Sequence, residues 1–325
     1  MIIVTGGAGF IGSALIAELN ARKITDILVV DQLGTDGKWK NLRNLSFADY
    51  VEKTDLLEIV IADKLGRAIE AVLHLGACSD TTEADASYLI KNNYEYTKLL
   101  AQWATNANVR FIYASSAATY GDGSAGFKDD EQTIKTLCPL NMYGYSKHAF
   151  DLWARRSRLL DRIVGLKYFN VFGPNEYHKG HMRSFIVKAF EQINAEGTVR
   201  LFKSYEGDYA DGEQVRDFVY VKDAVDMTLF FLDNRHLGGL YNVGTGEART
   251  WNDLVTAVFA AMGKEPKIEY IDMPDSIRNQ YQYFTQADMS KLRSAGYDKQ
   301  ITSLEDAIKD YVQNYLSTER YLTGI

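Results

Sequence analysis

Residues 2–12 have the sequence IIVTGGAGFIG, and this stretch decides the fold. Ile2, Ile3 and Val4 form a β-branched run that is typical of a buried parallel strand. The glycines after it fit both the G-x-x-G-x-x-G and the G-x-G-x-x-G spacing, and an apolar helical pattern continues to Leu19. Glycines permit a tight turn and let backbone amides approach a pyrophosphate at the helix N-terminus. The stretch therefore predicts a phosphate-binding strand–turn–helix unit.

Strands and helices alternate along the chain after this unit. Further strands are predicted at Ile27–Val30 (ending in Asp31), in a short run before Lys53, and at Ala71–Leu75, Arg110–Ala114 and Ile163–Phe169. A long helix is predicted from about Asp85 to Thr105 and another from Tyr143 through Trp153. Such alternation is typical of a doubly wound parallel sheet, the Rossmann architecture of the α/β class.

The composition shifts to polar loops around short helices after Phe169. Two later apolar runs, Phe218–Val221 and Leu240–Val243, are expected to return to the cofactor-binding Rossmann domain, because both have the character of core strands. We therefore predict a Rossmann domain over residues 1–169 with a returning segment near 217–243. Residues 170–216 and 244–325 are expected to form a smaller α/β substrate domain.

Composition and charge narrow the possible partners. The 325 residues carry a net charge of −7, which argues against a general nucleic-acid or membrane-surface binder. Cys78 and Cys138, the two cysteines, lack any metal or redox spacing, and no apolar run is long enough to cross a bilayer. His178 and His181 have no carboxylate or cysteine at ligand spacing. We expect a cytoplasmic protein without a metal site.

Tyr143 and Lys147 are four residues apart in a predicted helix and so share one face. A phenol titrates near about pH 10, but a neighbouring ammonium favours the phenolate and makes the group useful for proton transfer. Ser116 lies at the end of a predicted strand, where its hydroxyl can contact a substrate alcohol. An exposed i,i+4 pair on an ordinary helix is the alternative interpretation. The glycine-rich turn upstream favours catalysis.

The cofactor type depends on three side chains. Asp31 is expected to hydrogen-bond an adenosine ribose hydroxyl, which alone indicates NAD. Lys38 and Lys53 follow it and can neutralise a 2′-phosphate, which indicates NADP. Solvated surface lysines are the alternative. Of the paired Asn92 and Asn93, one is expected to have a buried polar role, because asparagine has modest helix propensity.

Several motifs together resemble one enzyme family. They are the glycine-rich turn, Asp31, SSAATYG at 115–121, the Tyr143–Lys147 pair and NVFGP at 170–174. These resemble the extended short-chain dehydrogenase/reductases that modify nucleotide sugars. GACS at 76–79, HKG at 178–180, RDFVYV at 216–221 and the run from Tyr281 to Asp288 are similar to members that epimerise an ADP-linked heptose at C6.

The resemblance implies an isomerase that converts ADP-D-glycero-D-manno-heptose to ADP-L-glycero-D-manno-heptose by internal oxidation and reduction through bound NADP, with NAD as the alternative. The product would serve lipopolysaccharide inner-core heptose synthesis. It also implies a homo-oligomer, with a pentamer as one candidate.

Site residues follow from the same resemblance. The implied catalytic residues are Tyr143, Ser116, Lys147 and, as a second catalytic group, Lys179. The implied cofactor contacts are Gly6, Gly9, Phe10, Ile11, Gly12, Asp31, Gln32, Lys38, Lys53, Leu75, Gly76, Ala77, Cys78, Ser79, Asn92, Lys147, Val171 and Lys179. The implied substrate contacts are Ser116, Asn170, His181, Lys188, Phe202, Lys203, Ser204, Tyr205, Arg216 and Tyr281. For Lys188 and Lys203, solvated surface charge is the alternative, whereas the Arg216 fork suits a diphosphate.

Three other functions are compatible with parts of the pattern. A UDP-sugar 4-epimerase would use the same Ser–Tyr–Lys triad but has no need of Lys179. A sugar 4,6-dehydratase is disfavoured, because Ala117 and Ala118 stand where acid–base side chains would be required. A nucleotide-sensing binding protein on the same fold would not need the intact triad.

Overall fold

The computed structural model describes residues 1–62, 64, 68–278 and 281–324. Its strands are β1 (Ile2–Thr5), β2 (Ile27–Asp31), β3 (Asp49–Glu52), β4 (Ala71–His74), β5 (Arg110–Ser116), β6 (Val164–Tyr168), β7 (Asn170–Phe172), β8 (Val199–Phe202), β9 (Val215–Tyr220), β10 (Gly239–Val243), β11 (Ala248–Thr250) and β12 (Ile268–Ile271).

The α-helices are α1 (Phe10–Ala21), α2 (Lys53–Ile61), α3 (Ala86–Leu89), α4 (Tyr96–Asn106), α5 (Met142–Arg156), α6 (Phe185–Glu196), α7 (Val221–Asp233), α8 (Trp251–Ala261), α9 (Asp275–Arg278), α10 (Ser290–Ser294) and α11 (Leu304–Asn314). A π-helical turn, Ile90–Glu95, joins α3 to α4, so the long helix predicted there is present with a widened middle. No helix in the described part of the chain combines the length and the apolar character needed to cross a membrane.

The central sheet confirms the predicted doubly wound α/β fold. Its seven strands lie in the order β10-β6-β5-β4-β1-β2-β3, and every neighbouring pair is parallel. The chain builds outward from β1 in one direction and then, from β4, in the other. A crevice forms where the strand order reverses, at the carboxyl ends of the strands. The cavity described below lies at these ends.

The two apolar runs expected to return to the Rossmann domain join different sheets. β10 pairs in parallel with β6 in the central sheet. β9 lies between β7 and β11 in a separate three-stranded sheet. A buried apolar run fits the interior of either sheet, so its composition does not identify its partner. The element that follows β9 and packs against α1, β5 and β6 is the helix α7. The proposed domain limits stay a prediction.

Candidate active site

A cavity of about 940 Å³ opens at the carboxyl edge of the central sheet. All of the cofactor contacts implied by the resemblance line it, from Gly6 in the first turn to Lys179 in the second half of the chain. The four implied catalytic side chains line it as well, as do Asn170, His181 and Lys188. The remaining implied substrate contacts, Phe202 to Tyr205, Arg216 and Tyr281, are not part of its lining.

The glycine-rich turn packs tightly against the end of β4. Gly6 has φ +67°, and a Cβ there would lie 2.7 Å from the backbone nitrogen of Gly76. A Cβ on Gly12 would lie 2.1 Å from the carbonyl oxygen of Gly6. The N-terminus of α1 has no side-chain cap at Gly9, so its first amides are free to bind an anion. An uncapped helix N-terminus in the cavity wall fits the pyrophosphate of a dinucleotide.

Asp31 connects the glycine-rich turn to the loop that carries Lys38. Its carboxylate is buried and accepts hydrogen bonds from the Ala8 amide (2.9 Å), the Gln32 amide (2.7 Å) and Lys38 Nζ (3.2 Å). Lys53 Nζ donates to Asn92 Oδ1 at 2.9 Å. Both lysines thus have hydrogen-bond partners among the residues that line the cavity, and their contact with the cofactor stays a prediction.

Asn93 is the buried member of the asparagine pair. Its Oδ1 accepts from the Cys78 amide, and its Nδ2 donates to the Cys78 carbonyl, each at 2.9 Å. The same Nδ2 donates to Ser146 Oγ at 3.0 Å. Asn93 therefore fixes the loop after β4 to the helix α5. It lies in the π-helical turn, a distortion that is frequent at functional sites.

Helix α5 presents Tyr143 and Lys147 to the cavity. Asn141 caps the helix by accepting the Gly144 amide at 2.8 Å. Lys147 Nζ donates to the Ala114 carbonyl at 2.8 Å, which fixes the ammonium beside the end of β5. Burial lowers the pKa of Lys147 to about 8, while Asp151 one turn later opposes the shift.

The prediction that Lys147 lowers the pKa of Tyr143 is wrong. Burial raises the pKa of Tyr143 above its ordinary value, and a hydrogen bond with the Ser116 side chain only partly opposes this. Lys147 is not among the groups that lower this pKa, and its ammonium donates to a backbone carbonyl of β5. Tyr143 is therefore held as a protonated phenol with Ser116 as its partner.

Lys179 lies in a 3-10 helical segment, Tyr177–Met182, and its side chain lies over Phe10, which follows the glycine-rich turn. Its Nζ is 5.4 Å from the centre of the Phe10 ring. Among the described residues, this ammonium makes no hydrogen bond or ion pair. Burial lowers the pKa of Lys179, and Glu176 opposes the shift. A lysine with a lowered pKa is closer to acting as a base at neutral pH.

His181 and Lys188 lie near one another at the edge of the cavity. His181 Nε2 is 3.7 Å from the Asp80 carboxylate, which belongs to the loop after β4. Lys188 Nζ donates to the His181 carbonyl at 2.8 Å. The His181–Asp80 contact connects the segment around Lys179 to the loop that follows β4.

Arg216 lies one layer behind the cavity wall. Its guanidinium is 5.2 Å from the Tyr281 ring and 5.9 Å from the Trp251 ring, and it donates to the Val215 carbonyl at 2.9 Å. Trp251 itself lines the cavity and packs edge-to-face on Phe185, which lines it too. Neither aromatic residue was predicted as part of the site, since an aromatic at a helix start carries no local signal for a binding role.

Residues 202–205 lie at the end of β8, away from the cavity lining. Lys203 pairs with Asp272 at 3.1 Å, and the Tyr205 hydroxyl donates to the same carboxylate at 3.1 Å. The Ser204 amide donates to Asp211 at 2.8 Å. The substrate contacts implied for Phe202 to Tyr205 stay a prediction.

Comparisons with known proteins show which family this chain resembles. The NAD dependent epimerase/dehydratase family matches residues 2–244. A protein of Nitratidesulfovibrio vulgaris named ADP-L-glycero-D-manno-heptose-6-epimerase is 57% identical over 98% of each chain.

Two solved structures have the same fold. The Helicobacter pylori ADP-L-glycero-D-manno-heptose-6-epimerase superimposes with a TM-score of 0.81 at 29% identity, covering 96% of this chain and 95% of that one. The Thermus thermophilus UDP-glucose 4-epimerase in complex with NAD gives 0.73 at 28% identity, covering 96% and 97%. The chain therefore belongs to the NAD dependent epimerase/dehydratase family.

Proposed function

We propose that this chain is an isomerase that inverts C6 of ADP-D-glycero-D-manno-heptose to give ADP-L-glycero-D-manno-heptose, with NADP as its cofactor. The relative at 57% identity carries the name of this activity. The observation that carries the proposal is that Tyr143 and Lys179 line one cavity and have pKa values shifted in opposite directions. The cavity residues from Gly6 to Lys179 would hold the dinucleotide, which would supply reversible hydride transfer at C6.

Inverting a centre in this way requires two proton-transferring groups. Once the ketone has turned, its oxygen points away from the group that deprotonated the alcohol. Lys179, with its pKa lowered by burial, suits removal of the hydroxyl proton on one side. Tyr143, held protonated beside Ser116, suits donation on the other side. In the reverse direction the two side chains exchange roles.

A direct assay separates this proposal from a UDP-sugar 4-epimerase. The purified protein is incubated with ADP-D-glycero-D-manno-heptose and, in parallel, with UDP-galactose, and the configurations at C6 and C4 are followed by NMR. Inversion at C6 of the heptose without inversion of the galactose at C4 is the expected result. Inversion of the galactose alone would overturn the assignment. Absence of turnover with both would favour a binding protein.

Lys38 and Lys53 are proposed to bind the 2′-phosphate of NADP. Replacing either with alanine should weaken NADP binding by about 1.5–3 kcal/mol through loss of a charge-assisted hydrogen bond, with little change in NAD binding. Titration of both cofactors measures this. Lys64→Ala is a matched control, because Lys64 is exposed and pairs with Glu58 outside the cavity. Equal losses for NADP and NAD would contradict the proposal.

The lowered pKa of Lys147 predicts an alkaline limit to activity. Lys147 is charged below its pKa of about 8, so kcat should fall as the pH rises through this value and the cation is lost. The measurement is kcat across the neutral to alkaline range. Lys147→Arg should be slower but should lack this alkaline limb, because the guanidinium stays protonated. An unchanged limb in that variant would assign it to another group.

A homo-oligomer, with a pentamer as one candidate, and a cytoplasmic location are proposed on the same resemblance. Light scattering of the purified protein would test the assembly directly.

A further inference from the structure

Asn175 and Glu176 are consecutive polar residues that lie just before Lys179 in the chain, and both are fully buried at 0% exposure. Asn175 adopts φ +78°, a left-handed conformation that asparagine tolerates better than most residues. Burial of an amide and a carboxyl is costly unless each is hydrogen-bonded. Two such side chains in succession therefore indicate a segment whose backbone is held in one arrangement.

Asn175 connects this segment to the glycine-rich turn and to the helix α1 that follows it. Its Nδ2 donates to Ser13 Oγ in α1 at 2.9 Å, and its Oδ1 accepts the Leu322 amide at 2.9 Å. Its backbone carbonyl accepts a hydrogen bond from Asn41 Nδ2 at 3.1 Å. Asn41 Nδ2 also donates to the Ala8 carbonyl at 2.9 Å, in the glycine-rich turn. Asn175 is thereby fixed to α1, to the glycine-rich turn and to the C-terminal tail at once.

Glu176 connects the two ends of the loop that carries Lys179. Its Oε1 accepts the Gly173 amide at 3.2 Å and the Ser184 hydroxyl at 2.7 Å. Its Oε2 accepts the Ser184 amide. Gly173 precedes the loop and Ser184 is the N-cap residue of α6, so one carboxylate bonds to both ends of the loop. A fully satisfied buried network of this kind rigidifies its surroundings.

We propose that Asn175 and Glu176 are the positioning residues for Lys179, holding its ammonium over Phe10 in the cavity. This inference rests on the proposed function, in which Lys179 transfers a proton. Lys179 Nζ makes no hydrogen bond among the described residues, so its position depends on the backbone that carries it. The carbonyl of Glu176 also accepts the Lys179 amide at 3.0 Å, which places Lys179 one turn beyond the anchored pair.

Positioning matters because a base must reach hydrogen-bond distance of the proton that it removes. A lysine side chain has four rotatable bonds, and a loosened loop would spread its ammonium over many positions. A displacement of about 1 Å in a reacting group can cost about 100-fold in rate. Asn175 anchors the segment to α1, to Asn41 and to Leu322, and Glu176 bonds it to the start of α6.

A double-mutant cycle distinguishes positioning from general structural support. Glu176→Gln keeps the volume but replaces one acceptor oxygen with an amide nitrogen, which cannot accept the amide of Ser184 or, in the other orientation, the amide of Gly173. Alone, it should lower kcat by about 10- to 100-fold with little change in NADP affinity. In a Lys179→Met background it should cause no further loss, because the group that it positions is gone. Thermal unfolding of each variant checks that the fold is intact.

Asn175→Gly is the second variant, since glycine accepts the same positive φ while removing the side chain. It should show the same loss of kcat and the same lack of effect in the Lys179→Met background. Glu196→Gln is the matched control: Glu196 lies on α6 and pairs with Arg200 outside the cavity lining, and its loss should leave kcat unchanged.

Two results would overturn the inference. The first is that Glu176→Gln or Asn175→Gly leaves kcat unchanged. The second is that either variant lowers kcat further in the Lys179→Met background, by the same factor as it does alone. If Lys179→Met alone has no effect, the proposed catalytic role fails first, and the inference falls with it. The Lys179→Met variant alone thus distinguishes failure of the proposed function from failure of the positioning inference.

Discussion

Replacing Lys179 with methionine is expected to lower kcat by about 10²–10⁴-fold, the usual contribution of a general acid–base group. Tyr143→Phe should cause a loss of similar size. Methionine keeps most of the length of the lysine side chain, and phenylalanine keeps the ring, so cofactor binding and folding should be little changed. Both losses are expected because each side chain serves one side of the C6 carbon in the proposed mechanism.

The competing explanation for Lys179 is that its cation holds a phosphate. In that case Lys179→Met should mainly raise KM and leave kcat near the wild-type value. Steady-state kinetics with the ADP-heptose substrate, together with NADP titration, separates the two. Lys299→Met is a suitable control, because Lys299 is exposed and pairs with Asp226 far along the chain from the site. A KM effect alone would refute the two-base mechanism.

The features that the sequence predicted well are those encoded within a few residues. The glycine spacing of residues 6–12 specifies a turn and a helix start, and the structure has both. The i,i+4 spacing of Tyr143 and Lys147 places both on one face of α5, and both line the cavity. Strand composition predicted the buried parallel strands β1, β2, β4, β5 and β6, because apolar runs buried on both faces have few alternatives.

The features that the sequence could not specify depend on pairings between distant segments. β9 and β10 are similar apolar runs, yet they join different sheets. The pKa of Tyr143 depends on burial by surrounding elements and on its hydrogen bond with Ser116. Asn175 and Glu176 have no local motif, because their partners lie at Ser13, Asn41 and Leu322 or across a loop.

Asp151 and Lys167 form a buried ion pair beneath the catalytic residues that no local pattern indicated. Both side chains are fully buried, and Lys167 Nζ lies 2.8 Å from Asp151 Oδ2. Ser115 Oγ and the Tyr113 hydroxyl also donate to this carboxylate, each at 2.8 Å. The network joins α5, β5 and β6 directly behind the residues that carry the site.

Breaking this pair from either side should strongly destabilise the fold. Asp151→Leu leaves a buried cation without its counter-ion, and Lys167→Met leaves a buried carboxylate with hydroxyl donors alone. Each is expected to lower the free energy of unfolding by about 3–5 kcal/mol. Urea unfolding followed by circular dichroism measures the loss. Asp272→Asn is a control, since Asp272 pairs with Lys203 on the surface and should change stability little.

The double variant decides whether the stabilisation comes from the ion pair. With both charges removed, neither is left uncompensated, so the double variant should lose about 1–3 kcal/mol less than the sum of the two single losses. The remaining loss reflects the hydroxyls of Ser115 and Tyr113, which lack an acceptor once Asp151 is replaced. Strictly additive losses would instead show that the two side chains stabilise the fold independently, through packing. The pair would then have no specific part in holding α5 against β5 behind Lys147.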